Sequence, residues 1–339
     1  MHAAPFPDRS RDITRTAAPE LPHRPAPVLA LPVDEPLPIA LRRTTIEQLD
    51  HALWVMRHEL DRDRAVHEAR KSLKRVRAVL RLVQGPLGEY RFGEENAVLR
   101  DVSRRLSVVR SAAVIVDTAR TFTEAHPDLL DPIATRRLLV GLAHRRDTMR
   151  TVVIHDRQMI ADLATALLTT RSRYAAWPIT EMEVNPAAPH RRPFRNEFAT
   201  VAGGLERTYV AGMNGMETAI ATRSTFAFHE WRKRVKYLRY QHELLEPLWP
   251  AVMGATATSF GELADGLGAE HDLAEVGALV ASTPTLILDP AARYRFLSAG
   301  ERRRMTLHSE VVALGRRLFA ETPTAFRRRI GSYWAYARG

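Results

Sequence analysis

Eleven residues occur twice in this chain. His67 to Arg77 reads HEARKSLKRVR and His229 to Arg239 reads HEWRKRVKYLR, with His, Glu, Arg, Lys, Lys and Arg at matching offsets. On an α-helix, at about 100° per residue, His67, Arg70, Lys71, Lys74, Arg77 and Arg81 fall on one stripe. Val66, Ala69, Leu73, Val76, Leu80 and Val83 form a second stripe centred about 115° away. The second copy repeats both. Its cations are His229, Arg232, Lys233, Lys236 and Arg239, and its apolar side is Phe228, Trp231, Val235, Leu238 and Leu245, interrupted by His242. The pattern commits the chain to amphipathic helices and to an internal duplication of long period.

The stripes hold no acid, and Glu68 and Glu230 point away from them on a helical projection. Solvated helix faces usually mix signs, because Glu–Lys pairs one turn apart stabilise by roughly 0.2–0.5 kcal/mol and like charges destabilise by similar amounts. Two helices accepting the same repulsion point to an anionic ligand. The whole chain agrees: 50 Lys and Arg against 39 Asp and Glu give a net charge of +11.

Residues 1–40 hold nine of the 21 prolines, a composition expected of a disordered or extended tail. From Thr44 helix formers dominate and strand alternation nearly disappears. A second proline cluster, Pro178, Pro186, Pro189 and Pro193, marks a linker at 177–193. The halves are then 41–176 and 194–339. Each reads as about four helices: 44–60, 62–84, 92–124 and 132–173, then 194–222, 224–246, 249–281 and 290–321. Ala325 to Tyr336 suits a further helix. Breaks fall at Gly85-Pro86, His126-Pro127, Glu246-Pro247 and Asp289-Pro290, since the residue before proline avoids helical geometry.

Several chemistries are absent. With no cysteine, disulfides, thiolate metal sites and a Cys nucleophile are excluded. His67-Glu68 and His229-Glu230 begin like a zinc-protease HExxH, but Lys71 and Lys233 stand where the second ligand belongs. There is no phosphate-cradling Gly-rich loop and no Ser/His/Asp arrangement. Glu181 and Glu183 lie in the linker. Neither catalysis, a metal nor a cofactor is expected. The start, MHAAPFPDRSRDITR, lacks a secretory h-region, and no apolar run spans a bilayer, so the expectation is a soluble, cytoplasmic protein without membrane contact.

His-x-x-Arg-Lys-x-x-Lys-x-x-Arg, present twice in a helical chain, resembles the CHAD family (conserved histidine α-helical domain), and the resemblance covers about 44–339. That family tends to carry a Leu-Gly-x-x-Arg/His-Asp turn downstream of each motif. It stands here as Leu267-Gly268-Ala269-Glu270-His271-Asp272 and, decayed, as Leu106-Ser107-Val108-Val109-Arg110-Ser111. The resemblance implies an all-α fold of two four-helix bundles related by pseudo-twofold symmetry around a basic central channel. It also implies a binding module for inorganic polyphosphate, of a kind often found on polyphosphate granules.

Polyphosphate suits the stripes, since Arg offers a forked donor and Lys a compact charge to a polymer without bases. His67 and His229 add a hydrogen-bond donor or, protonated, a further charge. Arg110, Arg145, Arg146, His271, Arg302 and Arg303 extend the candidate surface. The rival partner is nucleic acid. Proteins that track single strands interleave aromatics with the basic groove. Tyr237 and Tyr240 flank the second stripe, but Arg75 and Ala78 stand in the first, so nucleic acid is not the preferred reading. A polyphosphate or phosphate-ester hydrolase is the least favoured alternative.

Overall fold

The computed structural model describes residues 26–59, 61–154, 157–177 and 194–339, without the side chains of 62, 108–111, 150–154 and 157. The described residues form helices and connections, with no strand. In the first half these are α1 (Leu37–His58), α2 (Arg62–Leu82), α3 (Gln84–Leu87), α4 (Glu89–Arg105), α5 (Ser107–Ala125), α6 (Pro132–Ile154) and α7 (Arg157–Ala175). The second half holds α8 (Ala199–Thr222), α9 (Thr225–Leu244), α10 (Pro250–Ser282), α11 (Pro290–Leu318) and α12 (Pro323–Arg338). The fold is all-α. No helix is long and apolar enough to cross a membrane among the described residues.

Caps start the two motif helices. The Asp61 carboxylate accepts from the amides of Asp63 (2.9 Å) and Arg64 (3.3 Å) at the head of α2, and Ser224 Oγ accepts from Ala227 N (3.2 Å) at the head of α9. Proline at the first helical position begins α10, α11 and α12, where its missing N–H leaves nothing unpaired.

The second half keeps its expected helices closely. The first departs from them. The helix expected over 92–124 breaks into α4 and α5 at Leu106, where Ser107 Oγ donates to Arg104 O (2.6 Å), a local bond that competes with the helix ladder. The corresponding stretch of α10 carries Gly268 and runs unbroken for 33 residues. Of the helix expected over 132–173, Pro132–Ile154 and Arg157–Ala175 are helical while 155–156 lie outside the described residues, and α3 is additional.

Residues 26–36 correct the expectation of a free tail over 1–40. Leu31 is 1% exposed, Leu29 is also buried, and Leu31 N donates to Leu244 O (2.8 Å). Gln48 and Thr44 donate to the carbonyls of Pro27 (3.0 Å) and Ala30 (3.1 Å), and Arg338 Nη2 donates to Pro32 O (2.7 Å). The leucines give this stretch apolar anchors, and side chains satisfy its carbonyls. The rest of the expected tail, 1–25, lies outside the described residues, as does 178–193 of the linker. The rings of Trp177 and Phe194 meet edge to face at 5.3 Å, so the linker's two ends are close together.

The motif helices pack against each other. Gln241 Nε2 on α9 donates to Ala78 O on α2 (3.4 Å), the Arg81 guanidinium lies 3.9 Å from the Tyr237 ring centre, and Arg75 sits 3.9 Å from Glu243. Residue numbers fall on α2 as they rise on α9, so the pair is antiparallel. The copies are offset by 229 − 67 = 162, which makes Arg75 the counterpart of Tyr237 and Arg81 that of Glu243. The contact of Arg81 with Tyr237 is therefore matched by that of Arg75 with Glu243.

Both apolar cores draw on both halves. One gathers Leu49, Leu73, Val76 and Leu80 with Trp231, Val235, Leu238 and Leu263. The other joins Val116, Ala119 and Phe122 of α5 to Val276, Val280 and Phe296, with Phe122 and Phe296 edge to face at 5.3 Å.

Candidate functional site: two cationic helix faces

The first arginine of each motif makes the same bond. Arg70 Nη1 donates to Ser103 O (2.5 Å) and Arg232 Nε to Ala264 O (3.2 Å). Ser103 and Ala264 each precede the leucine of the downstream element, Leu106 or Leu267, by three residues. Gly268 makes room for this in the second half, because a Cβ there would collide with the Arg232 guanidinium. Both arginines are thus held by a backbone carbonyl of the neighbouring helix.

Along α2, His67 is 48% exposed on its side chain and lies 3.9 Å from Glu68, while Lys71 and Lys74 are half-buried. Arg77 Nε and Arg81 Nη1 share Asn96 Oδ1 at 3.0 and 3.3 Å. Burial pulls the Arg81 guanidinium down to about 10 against an opposing effect of Tyr237, with Arg77 and Arg234 adding repulsion.

On α9, Lys236 is half-buried and its amine is pulled down to about 8, first by burial and then by Arg232, against the opposing pull of Asp265 and Asp272. Arg239 Nε donates to Glu243 (2.8 Å), which outweighs burial and raises its guanidinium. His229 and His271 stand ring to ring at 4.3 Å. Burial, followed by His271 and Lys233, holds the His229 imidazole at about 4.

A cleft of ≈ 500 Å³ opens between α5, α10 and α11. Arg232 and Arg303 line it, and so do Asp117, Asp265 and Asp272. Burial raises the Asp272 carboxyl. Among the described residues no group of three or more His, Cys, Asp or Glu is placed to hold a metal ion.

The second stripe differs from its expected acid-free character. Glu230 contacts Lys233 and lies 3.6 Å from Arg234. Burial works to raise the Glu230 carboxyl, yet Lys233 and Arg234 together hold it below the ordinary range. A helical projection sets Glu230 about 60° from Lys233, an angle their long side chains span.

The additional cations divide. Arg302 and Arg303 are both exposed, and Arg303 also borders the cleft and pairs with Glu310 (3.2 Å). Arg145 and Arg146 border a separate hollow beside Ile115, Leu142 and Leu279, and Arg146 pairs with Asp147 (2.8 Å). The Arg110 side chain lies outside the described residues.

One group escaped sequence reasoning. The Glu270 side chain is 0% exposed and accepts from Arg304 at 2.6 Å and from His308 at 3.1 Å. Arg304 also donates to Thr225 Oγ1 (2.7 Å), and the His308 ring stacks on Phe228 at 3.9 Å. This buried cluster ties α11 and α10 to the first turns of α9, one residue from His229 and His271. Its signal was available: Glu270 follows Leu263 and Leu267 at i+7 and i+3, a carboxylate on an apolar seam.

The model of the CHAD domain family matches residues 41–281. The chain belongs to the CHAD domain family. Among solved structures, this CHAD chain is similar to the crystal structure of the CHAD domain from the plant Ricinus communis. The TM-score is 0.58 at 17% identity, over 87% of this chain and 96% of that one. At that identity the likeness is one of fold. No curated protein matches the chain.

Proposed function

We propose that this CHAD chain is a binding module for inorganic polyphosphate, not an enzyme, and that His67, Arg70, Lys71, Lys74, Arg77 and Arg81 act with His229, Arg232, Lys233, Lys236 and Arg239. The observation that carries this reading is the reciprocal, antiparallel packing of α2 against α9. Such a pair is related by an axis normal to the plane of the two helices. A stripe at the same angular offset on each then emerges on the same side. The eleven groups form one cationic surface, the lining of a channel made by a duplicated unit.

Two features favour a polymer without bases. Tyr237 and Tyr240 are 5% and 8% exposed, and Arg81 covers the Tyr237 ring, so neither face is open for base stacking. Arg70 and Arg232 are held by backbone carbonyls, which orders forked donors for phosphate oxygens before the ligand arrives. Arg303, through the cleft it shares with Arg232, extends the surface. A cytoplasmic location on polyphosphate granules follows from such binding.

Titration with long-chain polyphosphate at moderate salt, against an equally basic control protein, tests the reading. Tighter binding than the control is expected, and excess single-stranded DNA at equal phosphate concentration is expected not to displace the polymer. Affinity no better than the control's defeats the proposal, and displacement by DNA transfers it to nucleic acid. Phosphate release above background with Mg²⁺ or Mn²⁺ defeats the non-enzymatic part.

A further inference from the structure

Two imidazoles at the head of the second stripe are incompletely bonded. The Nδ1 atoms of His229 and His271 are both buried without a hydrogen-bond partner. A buried polar atom without a partner is costly and rare in native proteins. The rings lie 4.3 Å apart and 40° from parallel. The Nε2 of His271 faces Glu275 at 3.4 Å, which leaves Nε2 of His229 as the ring nitrogen open to a ligand. The charged groups facing the pair are Glu230, Arg232 and Lys233 on α9, and Asp272 and Glu275 on α10.

This setting opposes a second positive charge in the free protein. Arg232 and Lys233 repel it, and burial denies it water, so the His229 ring stays neutral down to about pH 4. A neutral imidazole keeps one nitrogen as an acceptor, whereas an imidazolium donates from both. The interior oxygens of polyphosphate only accept. A neutral His229 ring therefore matches the ligand poorly, and a protonated one matches it well.

We propose that His229 and His271 form a proton-accepting pair that takes up a proton from solvent as a phosphate group enters and then donates to its oxygens. This rests on the polyphosphate reading above. The entering anion reverses the local field that Arg232 and Lys233 create. The bound state holds more protons than the free state, so affinity rises as pH falls through the ordinary imidazole range. The limit is about tenfold per proton per pH unit.

Lys236 complicates the measurement at higher pH, since its amine, at about 8, also gains a proton when an anion binds. The test is therefore made near pH 6, where that amine is protonated in both states. The full chain is titrated calorimetrically with long-chain sodium polyphosphate in two buffers of different ionisation enthalpy. The apparent binding enthalpies are expected to differ by an uptake of about half to one proton per site, and H229Q and H271Q are expected to remove that difference. Binding with the same enthalpy in both buffers overturns the inference while leaving the polyphosphate reading intact. No binding at all overturns that reading, and the inference with it. Should the variants fail to fold, histidine ring resonances of the unaltered protein are titrated with and without polyphosphate. An upward shift of about two units or more for the His229 imidazole, from about 4, is expected, since an uptake of half a proton at pH 6 requires it, and no shift overturns the inference.

Discussion

Lys236→Met separates a charge kept for a ligand from one that serves the fold. Methionine preserves the apolar length of the side chain and removes the ammonium. In the folded protein that amine is pulled from its ordinary 10.5 to about 8. The difference, 10.5 − 8 = 2.5 units, corresponds to about 3 kcal/mol at 1.36 kcal/mol per unit. Lys236 is half-buried, so solvent screening lowers this to about 1–3 kcal/mol. The charged form is the disfavoured one. At pH 7 the variant is expected to be more stable than the parent by that amount in urea unfolding.

The pH dependence has a definite sign. The folded lysine loses its proton near pH 8, while the unfolded chain keeps its proton to about 10.5. Parent stability therefore rises between those values, and the advantage of the Met variant shrinks across the same window. Binding moves oppositely. Loss of one charge-assisted bond weakens polyphosphate affinity by about tenfold, or roughly 1.4 kcal/mol. A Met variant less stable than the parent at pH 7, or an advantage unchanged up to pH 10.5, refutes the reasoning.

Two further substitutions probe the frame that positions the site. Glu270→Ala removes the buried acceptor that Arg304 and His308 share, leaving Arg304 its contacts with Glu301 and Thr225, and is expected to lower stability by about 1–3 kcal/mol in urea, with a loss below about 0.5 kcal/mol counting against the cluster's role. Gly204→Ala drives a Cβ into the backbone carbonyls of Arg81 and Leu82, where α8 crosses the end of α2, and is expected to lower stability by about 2 kcal/mol or more. Its neighbour Gly203 would meet only Arg207 Nη1 at 3.5 Å, so Gly203→Ala is expected to be neutral or stabilising, by up to about 1 kcal/mol, in the same assay.

The helices were legible because proline and apolar periodicity agree along most of the chain. Asp289-Pro290 marks the start of α11, and the stretch expected as a helix over 224–246 is α9. The break at Leu106 was not legible as a break, although the loss of glycine at Ser107 was the visible trace of it. Residues 26–36 misled because proline density signals weak burial in general, while two leucines and four carbonyl contacts decided the case. At the site, helical projection identified the stripes but not their partners. It could not show that Glu230 leans back to Lys233, that Ser103 and Ala264 hold the two arginines, or that Asp265 and Asp272 face Lys236. Those contacts depend on side-chain reach and on neighbouring helices, which periodicity within one helix does not encode.

The central claim is that the two motif helices present one surface to one polyanion. Equilibrium binding of long-chain polyphosphate to a variant with Lys71, Lys74, Lys233 and Lys236 all changed to glutamate tests it most directly, with helicity followed by circular dichroism. Removal of binding with helicity retained is the outcome this account predicts. Affinity within about twofold of the parent, less than about 0.5 kcal/mol, from a protein that remains folded contradicts it.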